Sequence, residues 1–97
     1  MFKPGSPEWK ARIARMLADE EGQPMRWWFL SFAAPGKSLG AVLVEARGPT
    51  SALRLTHRLG INPGGQVMTS EVLAEYAARI PESMRHRLCS RKEWESL

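Results

Sequence analysis

The spacing of apolar residues changes along the chain, and each change marks an element. Ser6-Pro7-Glu8 reads as a helix start, with Ser6 as cap, and Met1 to Gly5 as a frayed end. Trp9, Ile13, Met16 and Leu17 follow at i, i+4, i+7 and i+8, one apolar helical stripe that Gly22 closes. Met25 to Ala33, MRWWFLSFA, switches to a strand. Trp27, Phe29, Ser31 and Ala33 share one face; Trp28, Leu30 and Phe32 share the other. Both faces are largely apolar, which predicts a central strand covered on both sides. Ala34 to Ser38 is a turn, and Leu39 to Ala46 is its hairpin partner, with Gly40 marking a bulge or a close backbone approach.

After Arg47-Gly48-Pro49, Thr50 or Ser51 caps a helix running to Leu59, with Ala52, Leu55 and Leu59 as its buried stripe. Gly60 reads as the left-handed residue ending it, with Ile61 as the following apolar contact. Asn62-Pro63-Gly64-Gly65 makes a turn into a short third strand from Gln66 to about Thr69. Ser70 then caps a helix carrying Val72, Leu73, Tyr76, Ala77 and Ile80, which Pro81 interrupts. Ser90-Arg91-Lys92-Glu93 is a capping box that opens a last short helix through Trp94.

This order predicts an α+β domain: a small, mainly antiparallel three-stranded sheet (hairpin, helix, third strand) with N-terminal and C-terminal helices packed on it. The 97 residues make a single domain. Residues 1–24 form a helical extension, 25–69 the ββαβ core and 70–97 a helical C-terminal segment. Three strands with two apolar faces shield themselves poorly. A homo-oligomer is therefore expected, dimer or higher, with Trp27, Trp28 and Phe29 as candidate interface residues. The two tryptophans alternate faces, so at least one of them belongs to the core.

Composition narrows the function classes. Four Trp in this length each need a core position or a partner. A net charge of +4 permits phosphate or nucleic-acid binding, but the charges are mixed along the chain and no polybasic tail exists. A single cysteine, Cys89, excludes an internal disulfide framework and a Cys-rich zinc site. That suits a reducing cytoplasm, the host cell's if the chain is phage-encoded. No apolar run is long enough to span a membrane, and MFKPGSPEWK lacks the apolar centre of a secretory leader.

Candidate chemistry is sparse. Gly36-Lys37-Ser38 invites a phosphate-loop reading. That motif needs a glycine where Ser31 stands and a helix where an apolar, β-branched strand follows, so a hairpin turn is the better reading. His57 and His86 lack a carboxylate or cysteine partner for a metal, and a Cys89–His86 dyad lacks an activating setting. No catalytic residue, metal site or cofactor is expected, and an enzyme is the last choice. The turn from Asn62 to Gly65 is more informative. Bare glycine N–H groups can cradle an anion, and no acidic residue lies between Glu45 and Glu71 while Arg47, Arg54, His57 and Arg58 do. Asn62, Gly64, Gly65 and Gln66 with those four basic residues are the candidate ligand site; a purely structural turn is the alternative.

Three blocks, Arg26 to Ala33 (RWWFLSFA), Leu39 to Ala46 (LGAVLVEA) and Leu59 to Val67 (LGINPGGQV), together resemble a family of small, largely uncharacterised bacterial and phage proteins. A looser likeness extends to MRHRLCSRKEW, so the resemblance spans about Arg26 to Glu93. It implies no established activity, but it suggests a phage or mobile-element setting in which short proteins act by binding. The leading expectation is thus a non-enzymatic binder of a small anionic, nucleotide-type ligand, a counter-defence sponge that sequesters a signalling molecule. The second is an interaction module that inhibits a host protein. The third is a weak nucleic-acid binder using Arg12, Arg15, Arg54 and Arg58.

Overall fold

A computed structural model describes residues 7–97, with side chains from Lys10 onward. The expected Ser6 cap, the frayed Met1–Gly5 and the side chain of Trp9 lie outside the described residues. The elements in order are α1 (Pro7–Glu21), β1 (Arg26–Ala34), β2 (Lys37–Ala46), α2 (Pro49–Arg58), β3 (Gln66–Val72), α3 (Ala74–Ala77), a 3₁₀ turn (Glu82–Met84) and α4 (Arg91–Glu95). The sheet is antiparallel with order β2-β1-β3, so the strand with two apolar faces is central, and the class is α+β. Among the described residues no helix is long and apolar enough to cross a membrane.

The alternation of β1 sets the core. Trp28, Leu30 and Phe32 are buried with Val42, Val44 and Ala46 of β2 against Ala52 of α2. The Trp28 indole N–H donates to the Ala46 carbonyl at 3.0 Å, so its polar atom is satisfied inside that core. Truncating Leu30, which is fully buried, would cost about 2–5 kcal/mol. The hairpin register slips by one residue between Phe32 and Ala33, leaving Leu39 as the extra residue of a bulge. Beside it, a Cβ on Gly40 would stand 2.8 Å from the Cys89 carbonyl, the close approach that glycine permits.

The opposite sheet face is partly covered from within the chain, by the segment after β3. Trp94 meets Phe29 edge-on with ring centroids 5.1 Å apart. His86 and the Arg85 guanidinium lie against Trp27 at 5.6 and 5.2 Å. The same segment pairs with the outer edge of β2. Ala41 and Cys89 exchange backbone hydrogen bonds at 2.9 Å, and His86 N–H donates to the Leu43 carbonyl at 2.8 Å. Trp94 Nε1 adds a bond to the Ala41 carbonyl at 3.1 Å. The expected interface residues are therefore engaged internally: Trp28 in the core, Trp27 and Phe29 under the C-terminal segment. Trp27 and Phe29 stay half-buried, and Met68, on the same face, is exposed.

Local signals at helix ends are met unevenly. Gly60 has φ +69°, its N–H bonds His57 O, and Ile61 N–H bonds Thr56 O, a full Schellman stop with Ile61 packed on the core. The Ser90–Glu93 box forms with both reciprocal bonds. Neither Thr50 nor Ser51 caps α2; Gly48 does, without a side chain. The buried stripe of α2 is Ala52 and Thr56, while Leu59 is exposed because it is the cap residue. The Thr56 hydroxyl is tolerated there because it donates to Leu53 O and accepts from Asn62.

The largest departure follows Thr69. The expected helix from Ser70 does not form; β3 continues to Val72, pairing Ser70 with Phe29 and Val72 with Trp27. An Arg26–Glu71 ion pair of 2.7 Å fastens this end. Only one helical turn, Ala74–Ala77, follows, with Leu73 and Tyr76 exposed and Ala77 buried. Cross-strand pairing with two aromatics outweighs a helical periodicity with no surface to bury against. The core unit thus extends to Val72, and the C-terminal segment is mostly irregular chain laid on the sheet.

Candidate anion-binding cleft

The predicted site residues separate into two groups on either side of the C-terminal half of α2. Arg47, Arg54 and Arg58 line a cleft of about 230 Å³ together with Leu17, Met25, Glu45, Ala46, Ser51 and Leu55. Arg54 and Arg58 stand one helical turn apart and share a face of α2. Arg47 enters from the end of β2 and is fixed in place, since its guanidinium donates to the Gln23 carbonyl at 2.8 Å. Among the described residues Arg54 and Arg58 form no ion pair or hydrogen bond. Like charges at i, i+4 cost a few tenths of a kcal/mol on an exposed helix. The helix dipole offsets part of that at Arg58, in the last turn. Leu17, Met25 and Leu55 add apolar lining beside the charges, which include the Glu45 carboxylate.

The second group has structural occupations. Asn62 Oδ1 accepts from the Gly64 N–H at 2.8 Å, and its Nδ2 donates to Thr56 Oγ1 at 3.0 Å and lies 3.3 Å from His57 Nε2. The Asn62 side chain therefore ties the turn to α2. Gly65 has φ +78°, and a Cβ there would run into the Ala33 carbonyl and the Leu39 side chain. Glycine is required by the packing of the turn on the hairpin, without reference to a ligand. Gly65 and Gln66 border a separate depression of about 480 Å³ with Ala33 to Gly36, which carries no charged side chain. Gly36-Lys37-Ser38 lies in the hairpin turn and start of β2, so the phosphate-loop reading is excluded by position. No cluster of three metal-ligating side chains occurs among the described residues.

Sequence reasoning missed Leu17 and Met25 as lining, because only tertiary packing brings α1 beside α2. It also missed a third groove of about 360 Å³, where Trp94 and Arg91 of α4 meet Phe29, Ser31 and Ser38. The capping box carrying a tryptophan was the available signal. Cys89 is buried, its thiol against the Met84 and Arg87 carbonyls. Comparison with family models, with curated proteins and with solved structures finds no match to this chain.

Proposed function

We propose that the chain is a non-enzymatic binding protein for a small anionic, nucleotide-type ligand held in the Arg47–Arg54–Arg58 cleft. The observation that carries this reading is that three arginines, two without a partner among the described residues, line one cleft with Leu17, Met25 and Leu55 against one carboxylate, Glu45. Guanidinium forks match phosphate oxygens in pairs. A cleft of about 230 Å³ is below the ~300–1,000 Å³ of pockets that enclose a drug-sized ligand. It suits a phosphate and one ring face, with the rest of the ligand in solvent. We further propose a phage setting, in which such a binder acts as a sequestering sponge in counter-defence.

The test is calorimetry and thermal shift with adenosine mono- and diphosphate, a cyclic dinucleotide and inorganic phosphate as probes. Charge-assisted hydrogen bonds contribute about 1.5–3 kcal/mol each, so Arg54→Ala and Arg58→Ala should each weaken binding about tenfold or more. Asn62→Ala changes stability without a specific loss of affinity. A wild type that no probe shifts, or binding that survives the double substitution, would overturn the reading and favour docking of a host protein.

A further inference from the structure

The two edges of the sheet are treated differently. The outer side of β2 is closed by the chain's own C-terminal segment, whereas no backbone hydrogen bond reaches the outer side of β3 among the described residues. The direction of every ladder group follows from this. Ala41 and Leu43 bond outward, so Val42 and Val44 bond β1 through Leu30 and Trp28. The odd-numbered β1 residues then bond β3 through Met68, Ser70 and Val72. Val67, Thr69 and Glu71 are left with their N–H and C=O groups directed outward.

We infer that this edge pairs antiparallel with the same edge of a second copy, on a two-fold axis at Thr69. Thr69 is the middle residue of Gln66–Val72 and one of the outward-bonding set, so full overlap of the strands coincides with the hydrogen-bonding register. The pairs are Thr69 with Thr69, and Val67 with Glu71 of the second copy, each exchanging both N–H···O bonds. Met68, 75 % exposed, comes to lie opposite Ser70 of the second copy, and exposed Leu73 opposite Gly65. The two Glu71 carboxylates stand roughly 13 Å apart along the strands. That exceeds the ~8 Å screening length, and each is neutralised by its own Arg26.

From Gln66 to Val72 the edge has no Lys, no Pro and no bulge, and its one charge, Glu71, is paired with Arg26. A second copy produces a six-stranded sheet, β2-β1-β3-β3-β1-β2, whose remaining edges are both closed by C-terminal segments. The assembly therefore ends at two copies, which is why a copy of this chain fits the edge better than a foreign strand.

Light scattering across the micromolar range should give twice the 10.9 kDa chain mass for wild type. Thr69→Pro removes an N–H that the chain's own ladder does not use, and Thr69→Lys sets two charges on the axis. Both should run as monomers with unchanged circular dichroism; if the proline variant unfolds, the lysine variant decides. Thr69→Cys should give a covalent dimer on mild oxidation, since Cα atoms about 5.5 Å apart admit a disulfide. A monomeric wild type, or a folded Thr69→Lys variant that stays dimeric, overturns the proposal.

Discussion

Glu20 caps a helix to which it does not belong. Its carboxylate, near the end of α1, accepts the backbone N–H of Ser51 at 2.7 Å and of Thr50 at 3.0 Å, both in the first turn of α2. It supplies the side-chain acceptor that Gly48, the N-cap residue, lacks. The same contact joins α1 to the core, and a Cβ on Gly48 would collide with the Glu20 side chain.

Replacing Glu20 by alanine should lower unfolding free energy by about 0.5–2 kcal/mol, the usual value of an N-cap acceptor, as read by urea denaturation. Partial burial raises the Glu20 pKa, but the bonds from Ser51 and Thr50 together outweigh it and hold the group below the ordinary carboxylate range. A depressed folded pKa stabilises above the unfolded value of about 4.3, and that stabilisation is lost as pH falls through the folded value. Stability should therefore drop on acidification below about pH 4.3, and Glu20→Gln should flatten that part of the profile.

Gly64 and Gly65 should respond differently to a side chain. Both have positive φ, which costs a non-glycine residue about 1–2 kcal/mol. A Cβ on Gly64 meets open space, whereas one on Gly65 meets the Ala33 carbonyl. Gly65→Ala should therefore lower the melting temperature clearly more than Gly64→Ala. Gly65→Val should act through the fold rather than through a ligand.

Trp94 holds the C-terminal segment to the sheet through Phe29 and Ala41. Trp94→Phe keeps the ring contact and loses one hydrogen bond, about 0.5–1.5 kcal/mol. Trp94→Ala should cost more and speed amide exchange at Ala41 and Cys89, whose N–H groups bond across the β2 edge.

Cys89 should resist thiol reagents in the folded protein. Burial pushes its thiol up, the Arg87 charge offsets part of this, and Glu93 adds to it. Labelling should be slow in native buffer, little helped by alkaline pH, and should rise in step with unfolding in denaturant.

Much of the fold was decided locally. The two-faced pattern of Met25 to Ala33 required a central strand, Gly60-Ile61 required a Schellman stop, and Ser90–Glu93 required a capping box. In each case the residues that form the feature are neighbours in sequence, so their chemistry is complete without the rest of the chain. The residues after Thr69 were different. Their helical spacing lost to pairing with Trp27 and Phe29, partners more than forty positions away. The covering of Trp27 and Phe29, the capping of α2 by Glu20, and the division of the basic residues from the Asn62–Gly65 turn likewise depend on distant segments meeting. Periodicity reports which side of an element is apolar; it does not report what lies against that side. Tertiary packing alone assigned the glycine turn to the hairpin, the three arginines to a cleft beside α1, and, among the described residues, the open edge to β3.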